Sequence, residues 1–287
     1  MYKLAILGCE NSHAWGFMTA IAVDKTAADV EVIGAYTEYP ERGEAFQKDF
    51  GVPMMKTYDE LVGQVDGILI TARDGANHYK YAKPYIESGI PMFIDKPITN
   101  TEEDAKAFMA ELKAHNIKVS GGSSVPLMSL VTDMKKGLDQ NKYGKVYSAF
   151  LRAPVYMNSE YGGFFFYAQH LVQMATTLFG CFPKAVKAYN NGDSYICVLR
   201  YEDKDIVLNF IEGNNVYYAS VSSEKGVFEE SGKASDALYA VEFMEYYKVL
   251  TGGEQELTYE EFFAPVYIMN AIIRSLESGK EEQIQYA

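Results

Sequence analysis

The first part of the chain alternates short apolar segments with helix-like segments, and this alternation restricts the fold more than any other feature. Strand-like runs are separated by helical patterns and short turns, at residues 3–7, 30–37, 67–72, 91–95 and 117–120. Strands that alternate with helices in this way form a doubly wound parallel sheet. We therefore predict an α/β domain over residues 1–121, with its ligand beyond the carboxyl ends of the strands.

The pattern changes after Gly121 and Gly122. Strand-like segments now follow one another with only turn residues between them, at residues 146–151, 185–189, 195–201, 206–211 and 217–222. Successive strands without intervening helices indicate an antiparallel sheet. Helical patterns accompany it at residues 163–179, 235–250 and 258–278. We predict a second, α+β domain over residues 122–287, built on a mostly antiparallel sheet.

The composition excludes several classes of function. With 48% hydrophobic and 23% charged residues, the 287-residue chain has an ordinary globular composition. Its net charge of -13 argues against nucleic acids and anionic membrane surfaces as partners. No run approaches the ~18 apolar residues of a membrane helix, and the first residues lack a signal-peptide pattern. Three unpatterned cysteines favour a cytoplasmic protein, and no metal-site spacing is present.

A single lysine follows the apolar run at residues 91–95. Lys96 stands between Asp95 and Pro97, where a parallel sheet places its ligands. A lysine held in a cleft acts as an acid, a base or a point charge. The alternative is a surface lysine at a strand end. Lys96 is our first candidate for a catalytic residue.

The turn after the first strand has the position, but not the full sequence, of a dinucleotide-binding loop. Gly8 begins the G-x-G-x-x-G pattern, whereas Glu10 and His13 replace the second and third glycines. A carboxylate there repels a pyrophosphate by up to ~4 kcal/mol at ~4 Å and an effective dielectric of about 20. We expect Glu10 to turn away, the phosphates to lie elsewhere, or no dinucleotide to bind. Asn11, Ser12 and His13 are candidate anion donors, with Ser12 alternatively a simple helix cap.

Two further strand ends carry candidate cofactor contacts. Thr37 and Glu38 compete for the place of the acid that holds an adenine ribose, and Glu38 favours NAD because it repels a 2′-phosphate. The segment Thr71, Ala72 and Arg73 leads to His78. Of the four histidines, 13, 78 and 170 fall at predicted site-facing positions, whereas 115 ends a helix.

An aromatic run opens the helix predicted at residues 163–179. Phe166 and His170 share a face at i and i+4, and Tyr167 neighbours His170 at i and i+3. Such a run is more often core than site. The Tyr167 phenol and the His170 imidazole are nevertheless candidates for proton transfer. The segment that precedes the helix contains three candidates for binding substrate hydroxyls: Tyr156, Asn158 and Tyr161.

Taken in order, these segments resemble the Gfo/Idh/MocA family, the glucose–fructose oxidoreductase and inositol dehydrogenase relatives. The resemblance rests on residues 4–8, 39–42, Thr71 with Asn77-His78, Asp95-Lys96-Pro97, residues 141–146, Gly162-Gly163 with His170, and residues 271–275. It implies an N-terminal Rossmann domain and a C-terminal domain with an open-faced sheet. It also implies hydride transfer between NAD or NADP and sugars, inositols or related polyols. A homodimer or homotetramer would cover the open sheet face.

The resemblance further assigns roles to individual residues. Lys96 resembles the family lysine that touches the nicotinamide ribose and the substrate hydroxyl, and His170 the histidine that assists proton transfer. His78 matches a frequent histidine near the cofactor. Phe166 replaces the family aspartate four residues before the histidine, and Ala168 a glycine two residues before it.

Our leading hypothesis is an NAD(P)-dependent oxidoreductase that acts on a sugar-like or polyol substrate, with NAD slightly favoured. Lys96 would polarise the reacting oxygen, and His170 or Tyr167 would transfer the proton. We expect Lys96 and His170 to meet at one substrate. One alternative is a non-redox relative that binds a sugar-like ligand as a sensor or assembly partner. Another is a lyase or hydrolase that holds NAD permanently.

Overall fold

The computed structural model describes residues 1–287, which form two compact units. The first unit contains Met1–Gly122 and Asp236–Tyr259, and the second contains Ser123–Ser235 and Glu260–Ala287. The chain first passes from the first unit to the second after Gly122, one residue beyond the predicted boundary at residue 121. The prediction assigns residues 236–259 to the second domain, whereas the structure groups them with the first unit.

This segment returns to the first unit because its helix carries a buried aromatic face. Phe243, Tyr246 and Leu250 join the same hydrophobic core as Leu4 and Phe93. The rings of Phe93 and Tyr246 meet edge to face, with their centroids 6.1 Å apart. A helical pattern within a segment identifies the apolar face but not the core that covers it.

The first unit is built on five parallel strands, as predicted. They are β1 (Tyr2–Leu7), β2 (Val30–Tyr36), β3 (Gly67–Ile70), β4 (Met92–Asp95) and β5 (Val119–Gly122), in the sheet order β2-β1-β3-β4-β5. Every residue of β3 and β4 is buried, which explains their continuous apolar sequence. Leu7 lies beside Tyr36 and Ile70, and Ile70 lies beside Ile94. The strand ends therefore meet along one edge of the sheet.

Four helices connect these strands. They are α1 (Ser12–Met18), α2 (Pro40–Phe50), α3 (His78–Ala82) and α4 (Glu102–Ala114). A π-helical turn, Thr19–Val23, extends α1. Between α2 and β3, residues 57–63 form turns and no helix.

The second unit contains a seven-stranded sheet with one parallel pair. Its strands are β6 (Val146–Val155), β7 (Ala185–Asn190), β8 (Ser194–Arg200), β9 (Asp205–Glu212), β10 (Tyr217–Ser223), β11 (Gly226–Gly232) and β12 (Glu282–Gln283). Their order is β11-β10-β6-β9-β8-β7-β12. Only β6 and β9 run parallel, so the sheet is mostly antiparallel as predicted. The sequence reading did not identify β11 or β12.

The remaining helices precede the second sheet's strands in the chain or lie between them. They are α5 (Ser129–Asp139), α6 (Phe165–Phe179) and α8 (Tyr259–Ser278), with α7 (Ala237–Leu250) in the first unit. Helix α6 packs against β6 and β9. Burial alternates along these strands: Leu151 and Leu208 are fully buried, whereas Phe150 and Val207 are only partly so. No helix of the protein is both long and apolar enough to span a membrane.

Candidate active site

The end of β4 carries a buried carboxylate and a buried lysine. Asp95 is fully buried and Lys96 is 4% exposed, so Lys96 is not a surface lysine. Asp95 Oδ1 accepts a hydrogen bond from Lys96 N at 2.6 Å, and Asp95 Oδ2 accepts one from Asn11 Nδ2 at 2.8 Å. Burial lowers the pKa of Lys96, although the Asp95 charge opposes this effect. A lysine in this state is suited to exchange a proton as well as to act as a charge.

Two more ionisable side chains complete this cluster. His13, on α1, places its Nδ1 atom 2.9 Å from Asp95 Oδ1 and 3.6 Å from Glu242 Oε2, on α7. The sequence analysis included His13 but missed Glu242. A signal was present, because Glu242 shares a helix face with Tyr246 and Val249 at i+4 and i+7, and that face is buried. A glutamate is rarely buried without a partner, so an acid on an apolar helix face indicates a charge partner elsewhere in the fold.

Glu10 turns away from the loop after β1 and across the strand ends. Its Oε2 accepts a hydrogen bond from Thr37 Oγ1 at 2.7 Å, and its Oε1 accepts one from Arg73 N at 3.0 Å. Glu10 is 6% exposed. The carboxylate therefore ties the turn after β1 to the ends of β2 and β3. Thr37 and Arg73, two of the candidate cofactor contacts, both donate hydrogen bonds to this protein carboxylate.

The first glycine of the turn is required by close packing. Gly8 has φ 102°, and a Cβ atom there would lie 2.1 Å from Ala72 N. Thr71 Oγ1 donates to Gly8 O at 3.0 Å, which fixes the same approach. The tight turn that a dinucleotide-binding loop needs from its first glycine is present.

The remaining candidates of the first unit have defined partners. Glu38 is half-exposed and forms an ion pair with Lys80 Nζ at 2.9 Å. Ser12 Oγ donates to Asn11 Oδ1 at 3.3 Å, and Asn11 Oδ1 caps α1 by accepting from His13 N. Ser12 is therefore not the cap.

His78 is fully buried, and its Nε2 lies 2.8 Å from Ala72 O, which makes Nε2 the protonated nitrogen. Burial lowers the pKa of His78, so its ring is neutral at pH 7. The ring holds the backbone that follows β3 through Ala72 O.

The second unit brings His170 and Tyr167 together on α6. Their ring centroids lie 4.5 Å apart, edge to face. His170 Nδ1 lies 2.7 Å from Ser123 Oγ, which also accepts from Val125 N at 3.1 Å. Gln173 Oε1 accepts from Ser123 N at 2.8 Å. Ser123 and Gln173 thus orient the imidazole, and burial raises the pKa of Tyr167.

Of the three predicted substrate residues, two pack against aromatic side chains at the start of α6. The Tyr156 ring meets Tyr167 edge to face at 5.0 Å, and the Tyr161 ring lies 5.3 Å from that of Phe166. Asn158 is exposed. Ser123 and Gln173 were missed, although Gln173 lies one helical turn after His170. Lys96 belongs to the first unit and His170 to the second, and the expectation that they meet at one substrate stays a prediction.

Comparisons with known proteins identify a related domain and similar folds. Residues 2–123 match the model of an oxidoreductase family described as having an NAD-binding Rossmann fold. Glucose-6-phosphate 3-dehydrogenase of Bacillus subtilis (strain 168) is 26% identical over 148 residues, which are 52% of this chain and 41% of that protein. The aligned part thus spans less than half of that relative.

Solved structures resemble the whole chain. Myo-inositol 2-dehydrogenase from Lactobacillus plantarum has a TM-score of 0.86 at 16% identity, covering 99% of each chain. The WlbA dehydrogenase from Bordetella pertussis, in complex with NADH and UDP-GlcNAcA, has a TM-score of 0.84 at 18% identity, also covering 99% of each chain. At these identities the likeness establishes the fold.

The strand ends fit a dinucleotide in part. Gly8 makes the required turn, and Glu10 is held against Thr37 and Arg73. No group of three or more His, Cys, Asp or Glu side chains is arranged to hold a metal ion. Residues 2–123 are therefore similar to the NAD-binding Rossmann domain of the Gfo/Idh/MocA oxidoreductase family, a match that covers less than half of the chain.

Proposed function

We propose that the protein is an NAD(P)-dependent oxidoreductase that transfers hydride to or from a sugar-like or polyol substrate. The observation that carries this proposal is the buried Lys96 at the end of β4, next to Asp95, in a family described as NAD-binding. The relatives and structural neighbours, among them a glucose-6-phosphate 3-dehydrogenase and a myo-inositol 2-dehydrogenase, support the substrate class.

We assign the chemical roles as follows. The chemistry supplied by a bound NAD or NADP is the acceptance or donation of hydride. Lys96 polarises the reacting oxygen, and its lowered pKa makes proton exchange with that oxygen easier. His170 transfers the hydroxyl proton at Nε2, because Nδ1 is already engaged with Ser123. Tyr167 is the second candidate for this role, since Phe166 leaves no carboxylate at the family position.

NAD is the favoured cofactor in this proposal. Glu10 is held at the end of β2 by Thr37, and Glu38 lies one residue further along. Two carboxylates near this strand end disfavour a 2′-phosphate by like-charge repulsion. Asn11, Ser12, His13, Thr71, Ala72, Arg73 and His78 remain proposed contacts or supports of the cofactor.

Replacing Lys96 by methionine tests this function. Turnover of NAD with a panel of sugars and inositols should fall at least ~100-fold in Lys96→Met, as expected for loss of a group that polarises and exchanges a proton. Lys118→Met is the matched control, because Lys118 pairs with the exposed Glu254. Calorimetry should show that the wild-type protein binds NAD with a dissociation constant below about 1 mM. Equal turnover in Lys96→Met and wild type would refute the assignment.

The buried Glu10 carboxylate favours one second candidate, a non-redox relative that binds a sugar-like ligand. It occupies the position of the second glycine, where a pyrophosphate normally approaches the backbone. Calorimetry separates the two functions, because this candidate binds a sugar or polyol but gives no heat with NAD or NADP.

We further propose a cytoplasmic homo-oligomer. All three cysteines are free, which fits a reducing compartment. The face of the second sheet that carries Phe150, Val198 and Val207 is only partly buried in one chain, and a second copy would cover it. Sedimentation of the protein as a monomer at micromolar concentration would contradict the oligomer.

A further inference from the structure

The first unit contains a buried cluster of charges with one member unaccounted for. His13, Asp95, Lys96 and Glu242 are each no more than 4% exposed. Burying a charge is costly unless it is paired and hydrogen-bonded. Asp95 meets this condition through Asn11 and the Lys96 backbone. Neither oxygen of Glu242 has a hydrogen-bond partner.

The surroundings of Glu242 contain few groups that could neutralise it. Helix α7 packs against α1, the π-helical turn Thr19–Val23, β4 and β5. Of these, α1 contributes His13, and the end of β4 contributes Asp95 and Lys96, whereas the π-helical turn and β5 carry no charged side chain. On α7 itself, Tyr239 stacks on His13 with its ring centroid 4.8 Å away. His13, at 3.6 Å, is therefore the direct charge partner of Glu242.

We propose that Glu242 carries a proton at neutral pH and faces the His13 ring, so that the ionisation of Glu242 sets the net charge around Asp95 and Lys96. Glu242 is thus a positioning residue, which acts on Lys96 through His13 and Asp95. The proposal deepens the proposed function, because it concerns the lysine assigned to the reacting oxygen.

The electrostatics of the cluster support this arrangement. Burial raises the pKa of Glu242 to about 8, with the Asp95 charge acting in the same direction and His13 against it. Burial alone would lower the pKa of His13, but the charges of Asp95 and Glu242 outweigh burial and raise it. When Glu242 ionises, its proton leaves to solvent and the cluster gains one negative charge. The added negative charge then favours the ammonium form of Lys96.

Histidine titration by NMR tests the proposal on the full-length chain without substrate or cofactor. The chain has only four histidines, so the His13 ring resonances can be assigned by substitution. In Glu242→Gln, which keeps the side-chain size but cannot ionise, the His13 titration midpoint should move to lower pH. Glu245→Gln is the matched control, because Glu245 lies on the same helix and pairs with Lys248. It should leave the His13 midpoint unchanged.

An unchanged His13 midpoint in Glu242→Gln would overturn the proposal. A second measurement needs no variant: the infrared spectrum of the wild-type protein should contain a protonated-carboxyl band that disappears with a midpoint near 8. Absence of that band at neutral pH would also overturn it. Neither measurement involves catalysis, so failure here leaves the hydride-transfer proposal intact, and failure of Lys96→Met leaves this one intact.

Discussion

Glu10 shows how a single side chain changes the character of a nucleotide-binding turn. Its position, two residues after a glycine that the turn requires, was evident from the sequence, and so was its conflict with a pyrophosphate. Its orientation was not, because its two hydrogen-bond donors come from Thr37 and Arg73, which are distant in sequence. Local pattern identifies a conflict of charge at such a position, whereas only the fold shows which donors resolve it.

Replacing Glu10 by glutamine should relax the choice between the two cofactors. At a separation of about 10 Å and an effective dielectric of about 20, one carboxylate repels each unit of charge on a 2′-phosphate by about 1.7 kcal/mol. The ratio of NADP to NAD dissociation constants should therefore fall about 20-fold for each unit of charge on the phosphate in Glu10→Gln. Calorimetry with both cofactors measures the ratio. Glu41→Gln, on the exposed start of α2, serves as the control, and an unchanged ratio in Glu10→Gln would show that Glu10 plays no part in the choice.

At the scale of elements, α6 and the chain that follows β5 together fix the position of the His170 imidazole. Ser123 Oγ lies 2.7 Å from His170 Nδ1, and Gln173, one turn further along α6, accepts from Ser123 N. The hydroxyl fixes which nitrogen of His170 stays available, since Nδ1 is occupied. The helix supplies the imidazole, and the start of the second unit supplies the hydroxyl that contacts it.

Removing this hydroxyl should slow turnover without weakening substrate binding. In Ser123→Ala we expect kcat to fall about tenfold with KM little changed, because the imidazole keeps its place on α6 but loses its preferred tautomer. Ser123→Thr retains a hydroxyl and should restore most of the activity. Ser129→Ala, at the exposed start of α5, is the control. A normal kcat in Ser123→Ala would show that Ser123 does not orient the histidine.

The elements that the sequence analysis predicted and missed differ in how they are buried. Strands β3 and β4 are apolar at every position because both faces are covered, and the sequence pattern shows this directly. Strand β11 is mostly exposed and has no apolar alternation. Helix α5 contains Gly137, which weakens a helical pattern; it is needed because a Cβ atom there would lie 2.4 Å from the Tyr143 hydroxyl oxygen. Tertiary contacts thus decide the elements that local preference leaves open.

At the scale of the whole molecule, the return of α7 to the first unit determines the chemistry of the buried cluster. The prediction placed this helix in the second domain, and Glu242 could not then be connected with His13 or Asp95. The structure joins segments that are 147 positions apart, Asp95 and Glu242, in one charge network. The sequence analysis named His13 and Lys96 as site candidates, but the buried acid that faces His13 comes from α7, much further along the chain.

This network should make the stability of the protein depend on pH in a defined direction. Because the pKa of Glu242 is raised from 4.5 when unfolded to about 8 when folded, the folded protein holds the extra proton between these values. The free energy of unfolding therefore falls as pH rises through this window, by up to ~1.4 kcal/mol per pH unit for one proton. The raised pKa of His13 acts in the same direction above pH 6.5.

Glu242→Gln removes the acid's share of this dependence. Near pH 5, where Glu242 is protonated, the variant and wild type should unfold at similar urea concentrations. As pH rises toward 8, the wild type should lose stability relative to the variant, so that the difference between their urea midpoints grows steadily. Glu245→Gln should follow the wild type at every pH, since its partner Lys248 is exposed. Parallel midpoint curves for Glu242→Gln and wild type would mean that Glu242 ionises in the folded protein as it does in the unfolded chain.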